Sequence, residues 1–165
     1  MIYADHAATT KISETAKLAM LSAMEKDWYN PSSLYTPGQQ ASGTLMDARV
    51  RIAHCLGCLP KEIYFTSGGS EADNQAILSA AAIGKRQGKM HIISTAFEHH
   101  AVLHTLKKLE KEGFEITLLD VGEKGIVSPV QVEKAIRPDT ILVTVMYANN
   151  EIGTIQPIRE IGAIC

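Results

Sequence analysis

From residue 61 onward, short runs of apolar and β-branched residues alternate with longer segments of helical period, an order that few folds accept. Glu62–Thr66, Met90–Ser94, Phe114–Leu119 and Thr140–Met146 read as strands. Between and after them, Ser70–Arg86, Glu98–Lys111, a short helix from Ser128 and a last one from Pro157 read as helices. Strands joined through helices run parallel, so the expectation is an α/β fold with a parallel-type, helix-covered sheet. Thr140–Met146 is a nearly unbroken apolar run, as expected of a parallel strand covered on both faces. Ser128-Pro-Val-Gln131 combines an N-cap residue, a first-turn proline and a capping-box glutamine. Two helices precede this stretch. Ile12–Trp28 carries Met20, Met24 and Trp28 four residues apart, with Leu18 and Leu21 beside them. Gln39–Leu56 places Leu45, Ile52 and Leu56 on one face, and Gly57 is its natural stop. The division is therefore 1–60, an N-terminal segment with helices, and 61–165, the alternating part.

Composition narrows the functional classes. At 45% hydrophobic and 21% charged residues the chain is an ordinary globular one, and 165 residues suffice for a core without disulfide or metal staples. A net charge of −2 gives no basic excess for nucleic acid or an anionic membrane. The longest apolar stretch, Ala76–Ile83, falls short of a membrane span. The N-terminus has neither a basic nor an apolar signal region, and three cysteines without an export signal suggest reduced thiols in the cytoplasm. The last segment, Ile158–Cys165, stops in an apolar helical pattern with no cap or polar tail, which reads as a truncation.

In open parallel sheets ligands bind beyond the carboxyl ends of the strands. The turn Thr66-Ser-Gly-Gly-Ser-Glu71 opens a helix; Gly69 allows close approach, Ser70 adds a hydroxyl, and the free N–H groups with the dipole make an anion cradle suited to phosphate. The plain alternative is a strand-to-helix turn with Ser70 as N-cap. After Met90–Ser94 comes Phe97-Glu-His-His100, where His99 can stack on a flat ring or exchange protons, or simply begin a polar helix. His100 and His104 share metal-ligand spacing, but no third ligand is obvious and no metal site is expected. After Thr140–Met146, Asn149 and Asn150 offer amides to a ligand oxygen, or serve turn chemistry. Cys55 and Cys58 straddle a helix end instead of opening one, so they read as small buried residues more than as a redox pair. Asp5–Thr10 is small and polar without a helical or strand period.

Taken in order, Tyr3-Ala-Asp5-His-Ala-Ala-Thr-Thr10, Asn30-Pro-Ser-Ser33, Phe65-Thr-Ser-Gly-Gly-Ser-Glu71 with Asn74, Glu98-His-His-Ala-Val102 and Asn149-Asn-Glu-Ile-Gly153 closely resemble the N-terminal part of cysteine desulfurases, class V aminotransferase-like enzymes that use pyridoxal 5'-phosphate (PLP). The resemblance covers essentially the whole chain. It implies that 61–165 is the first part of the PLP-binding large domain of a fold-type I enzyme, preceded by two helices. It also implies that Gly69 and Ser70 hold the cofactor phosphate. His99 would stack on the pyridine ring and take part in proton transfer. Asn150 would bond near the ring's phenolic oxygen or the substrate carboxylate, and Asp5–Thr9 would border the substrate side. The activity implied is conversion of L-cysteine to L-alanine, with sulfur passed to an enzyme cysteine as a persulfide, for iron–sulfur cluster or thiolation pathways. The partners implied are an iron–sulfur scaffold or sulfur-acceptor protein, with homo-oligomeric assembly in the cytoplasm. His6 stands where the family often has Asn, and Ser70 where Thr is common. The family chain is more than twice as long, and its Schiff-base lysine, persulfide cysteine, pyridinium-pairing acid and substrate arginine lie in the part not matched here. The lysines of this chain fall in loops or on polar helix faces, so the chain alone is expected not to attach PLP covalently. A related class V enzyme, such as a selenocysteine lyase or a small-amino-acid transaminase, or a non-catalytic phosphate- or PLP-binding remnant, stays open as an alternative.

Overall fold

His91–Thr95 (β1) is buried along its whole length because both of its edges are paired. Glu115–Leu119 (β2) runs parallel on one side and Thr140–Val143 (β3) parallel on the other, giving the order β2-β1-β3. The computed structural model describes residues 2–165. Its helices are Glu14–Lys26 (α1), Thr36–Leu56 (α2), Gly69–Arg86 (α3), His100–Lys111 (α4), Pro129–Ala135 (α5) and Ile158–Ile164 (α6). The chain forms two units, one ending at Phe65 and the other spanning Thr66–Cys165.

In the second unit the sheet is covered on both faces. Ile77 and Ala81 of α3, Val102, Leu106 and Leu109 of α4, Ile92 of β1 and Phe114 form one core cluster. Val127, Val132 of α5 and Ile161 of α6 form the other, with Leu119, Val143 and Val145 packed against them. Val102, Leu106 and Leu109 are the face that the period of α4 places inward, and the expected parallel, helix-covered sheet is present. α5 begins where the sequence indicates. Its box closes from the Gln131 side, whose Oε1 accepts the Ser128 N–H at 3.0 Å, while the Gln131 N–H goes to the Ser128 carbonyl at 2.9 Å.

Three expectations about the strands and helices of this part are corrected. Glu62–Thr66 is not a strand. Pro60–Glu62 is a 3-10 turn, and among the described residues the segment after it pairs with no strand, while strand identity requires a partner. The sheet accordingly has three strands, not four. β3 ends at Val143 and is half-buried throughout, because it is paired only with β1 and its outer edge is open. α4 begins at His100 rather than Glu98: His99 is the N-cap residue, and Glu98 turns inward.

In the first unit, α1 is capped by Ser13, whose Oγ accepts the Ala16 N–H at 3.2 Å. α2 ends at Gly57 with φ +68°, where the Cys58 N–H returns to the Ala53 carbonyl at 3.0 Å. The apolar stripe Leu18, Met20, Leu21, Met24 and Trp28 sits at helical spacing yet is exposed, as are Leu45, Ile52 and Leu56 of α2. Cys55 is exposed and Cys58 half-buried, which overturns the reading of this pair as small buried residues: Cys55 lies on an outward face of the last turn of α2. Among the described residues no helix is long and apolar enough to cross a membrane.

Candidate functional site

The carboxyl ends of β1 and β3 lead into Phe97–His99 and Met146–Asn150, and α3 starts just after the glycine turn. Gly68 is the α3 N-cap residue and, lacking a side chain, supplies no cap. The first-turn N–H groups of an 18-residue helix therefore face outward with the positive end of the dipole. The Glu71 carboxylate, the nearest side chain able to take those donors, is turned back to Ser67: it accepts the Ser67 hydroxyl at 2.6 Å and its N–H at 2.7 Å, and these bonds hold it below the usual carboxylate range. Ser70 is exposed beside these groups, and a Cβ added at Gly69 would meet only open space.

His99 is oriented by its own helix. Its Nδ1 accepts the Ala101 N–H at 3.1 Å, which leaves the ring proton of the neutral imidazole on Nε2. Ser70, Asn74, His99, His100, His104 and Lys108 line one open hollow of about 410 Å³. Of the residues the resemblance assigns to the cofactor, Ser70 and His99 thus converge, while Gly69 is not among those lining the hollow. Asn150 does not line that hollow. It is exposed, and its Nδ2 donates to Glu151 Oε1 at 2.9 Å. The adjacent Asn149 is the buried member of the pair. It accepts the N–H groups of Glu151 and Ile152 at 2.8 and 2.9 Å and donates to the Phe97 carbonyl at 3.3 Å, so one amide builds the loop and the other stays on its surface.

Two residues of the quoted motifs turn out to brace this region. Asn74 donates to the Ser70 carbonyl at 2.6 Å and accepts from the Thr105 hydroxyl, which also lies 2.8 Å from the Ala101 carbonyl, so the first turns of α3 and α4 are locked together. An asparagine inside a helix is a poor helix former, and that misfit was the available signal. Glu98 is buried; its Oε1 accepts the Thr95 hydroxyl at 2.7 Å and the Met146 N–H at 2.8 Å. Burial pushes its carboxyl up, and the negative charge of Asp73 adds to this, while the two hydrogen bonds pull the other way. His100 and His104 stack with ring centroids 5.4 Å apart, but among the described residues no three His, Cys, Asp or Glu are grouped to hold a metal.

Comparison with known proteins gives the family. The aminotransferase class-V family matches residues 2–165. The chain belongs to the aminotransferase class-V family. It is 50% identical to the cysteine desulfurase IscS of Methanosarcina thermophila over 99% of its length, while spanning only 40% of that relative. Among solved structures it superposes on a NifS-like protein with a TM-score of 0.92 at 36% identity, covering 97% of this chain and 44% of that one. It also superposes on a protein described as SspA in complex with cysteine, with a TM-score of 0.91 at 40% identity, covering 98% of this chain and 46% of that one. The class-V chain described here thus has the fold the resemblance implied, over less than half the length of the relatives it matches.

Proposed function

We propose that this class-V chain carries the N-terminal share of the PLP-binding large domain of a cysteine desulfurase, which converts L-cysteine to L-alanine and passes the sulfur to an enzyme cysteine as a persulfide. The observation that carries the reading is the convergence of Ser70 and His99, from two different helix starts, on one hollow. The residues suit a flat phosphorylated heterocycle: the uncapped start of α3 and the Ser70 hydroxyl would take the phosphate, and the His99 imidazole would stack on the ring. When bound, PLP supplies an electron sink for the bonds of an amine substrate. His99 Nε2 is then the group able to hold or move a proton beside it, and Asn150 Oδ1 and Nδ2 offer a polar contact at the neighbouring strand tip. L-cysteine as substrate is supported by the solved relative described in complex with cysteine. On the same reading the whole enzyme is a cytoplasmic homodimer that serves iron–sulfur cluster assembly or thiolation through a scaffold or acceptor protein.

Lys108 is the lysine in the lining, and its side chain is solvated and paired with Glu112 at 3.9 Å, not desolvated as a nucleophilic lysine needs to be. The test is titration of the 165-residue chain with PLP followed by borohydride reduction and peptide mapping. Saturable binding that inorganic phosphate competes away is expected, without a specific lysine adduct. Ser70→Ala should weaken it about tenfold to a hundredfold, the worth of one hydrogen bond to a charged group. Binding that phosphate cannot displace and Ser70→Ala does not alter would remove the reading.

A further inference from the structure

The ladder between β1 and β3 stops before the end of β1. Ile93 pairs with Val143, and the Thr144 N–H reaches the Ile93 carbonyl at 2.9 Å. In a parallel ladder the next rung would take the Met146 N–H to the Thr95 carbonyl. It goes instead to Glu98 Oε1 at 2.8 Å, and the same oxygen accepts the Thr95 hydroxyl at 2.7 Å. A side-chain carboxylate therefore takes the place of a backbone rung where the two strands part, and parting strand tips make the crevice in which α/β proteins seat ligands. Glu98 is 6% exposed, and among the described residues no lysine or arginine pairs with it. A buried acid with no cation is costly to keep, so its geometry, not an ion pair, accounts for its placement. It directly precedes His99, and Met146 leads into the loop that carries Asn150.

We infer that Glu98 is a positioning residue: its buried carboxylate joins the start of α4 to the loop after β3 and thereby fixes His99 relative to Asn150. The inference rests on the proposed function for its purpose, since those two groups are the ones that would face the cofactor. The Asn149 amide, 3.3 Å from the Phe97 carbonyl, is the only other side-chain tie between the two loops among the described residues, and it is longer than either bond to Glu98.

The experiment compares Glu98→Ala, which removes the acceptor, with Glu98→Gln, which keeps an oxygen and drops the charge, in the 165-residue chain. The readouts are the nitrogen-resolved NMR signals of the His99 ring and the Asn150 side-chain amide without any cofactor, hydrogen exchange at the Met146 N–H, and the dissociation constant for PLP. Glu98→Ala is expected to move both sets of signals, to speed exchange at Met146 about tenfold and to weaken PLP binding about tenfold, the scale of one lost buried hydrogen bond. The Ala96 N–H, bonded to the Leu119 carbonyl at 3.0 Å, should keep its exchange rate. Glu98→Gln should restore all three readouts to within about twofold, since a neutral amide oxygen accepts the same two bonds. Should Glu98→Ala not fold, Thr95→Val removes one of the two donors and should move the same His99 and Asn150 signals in part. Unmoved His99 and Asn150 signals in folded Glu98→Ala or Thr95→Val, or a Gln variant as disturbed as the Ala variant, would overturn the inference. Absence of PLP binding in the unaltered chain would instead sink the functional reading, and the cofactor-free signals would still decide the role of Glu98.

Discussion

His91 is fully buried, yet its two ring nitrogens reach the strands on either side: Nδ1 lies 2.7 Å from Thr140 Oγ1 and Nε2 2.8 Å from Thr117 Oγ1. Thr140 Oγ1 already accepts the Arg137 N–H at 2.8 Å, so its proton is free for Nδ1, and the ring donates from Nε2 to Thr117. This neutral ring is a cross-strand tie. Burial, reinforced by the Arg137 guanidinium, holds its pKa below the ordinary value, while Asp139 and Glu115 oppose the shift. The native state thus binds fewer protons than the unfolded chain once pH falls below about 6.5, and stability follows with the same sign. Stability is expected to be full above that pH and to fall as the medium becomes more acidic, by at most about 1.4 kcal/mol per pH unit. Glu98, with its carboxyl pushed up, titrates in the opposite sense, so the comparison has to be made against a variant. In His91→Gln the protein should lose about 1–3 kcal/mol at neutral pH through imperfect pairing of the two threonines, and the acid-side fall should flatten. Urea midpoints measured between pH 5.5 and 7.5, about the ordinary histidine range, check this; a variant whose pH slope equals that of the parent would refute it. Residue-scale detail of this kind was only partly legible. The His99 position was marked by its place after a strand and Ser70 by the glycine turn that opens a helix, but nothing in Asn149-Asn150 told which amide would be buried, because that depends on the Phe97 carbonyl from another loop.

At the level of elements, α3 lies so close to β3 that one methyl group would matter. A Cβ added at Gly84 would sit 2.6 Å from the Lys89 carbonyl oxygen and 2.8 Å from Ile141 Cγ1. Alanine is the better helix former by about 1 kcal/mol, so an exposed Gly84→Ala change would stabilise. Here the backbone contact cannot yield, and the expected result is a net loss of about 1–3 kcal/mol with a lower urea midpoint. A neutral or stabilising outcome would show that α3 and β3 can separate freely. The same geometry explains what the sequence could and could not disclose. Helices α3 to α6 and strands β1 and β2 were legible because their inward residues recur at the period of the element itself. Glu62–Thr66 has the composition of a strand, but a strand is defined by its neighbour, and none is paired with it. The apolar run Thr140–Met146 is likewise strand-like throughout, yet its last residues leave the ladder for Glu98.

For the molecule as a whole, the sheet presents two outer edges unpaired among the described residues, those of β2 and β3, with β1 flanked on both sides. Large apolar side chains lie in the open in both units: Trp28 and Leu56 in the first are 67% and 69% exposed, and Tyr147 and Ile155 in the second 67% and 60%. Scattered exposed apolar residues are normal, but an open parallel edge is a template for pairing with another chain, and exposed apolar side chains add to its adhesiveness. The chain is therefore expected to self-associate as its concentration rises and to bind a hydrophobic dye, both through surfaces a partner polypeptide can cover. Sedimentation velocity over a hundredfold range of concentration, about the span needed to shift a micromolar equilibrium, separates the cases. A lysine placed on the open β2 edge, as in Leu118→Lys, where the native side chain is 49% exposed, should shift the equilibrium toward monomer if edge pairing drives it, because an edge charge opposes strand addition. A monomer at every concentration, with no dye bound, would mean that these edges and side chains do not act as adhesive surfaces.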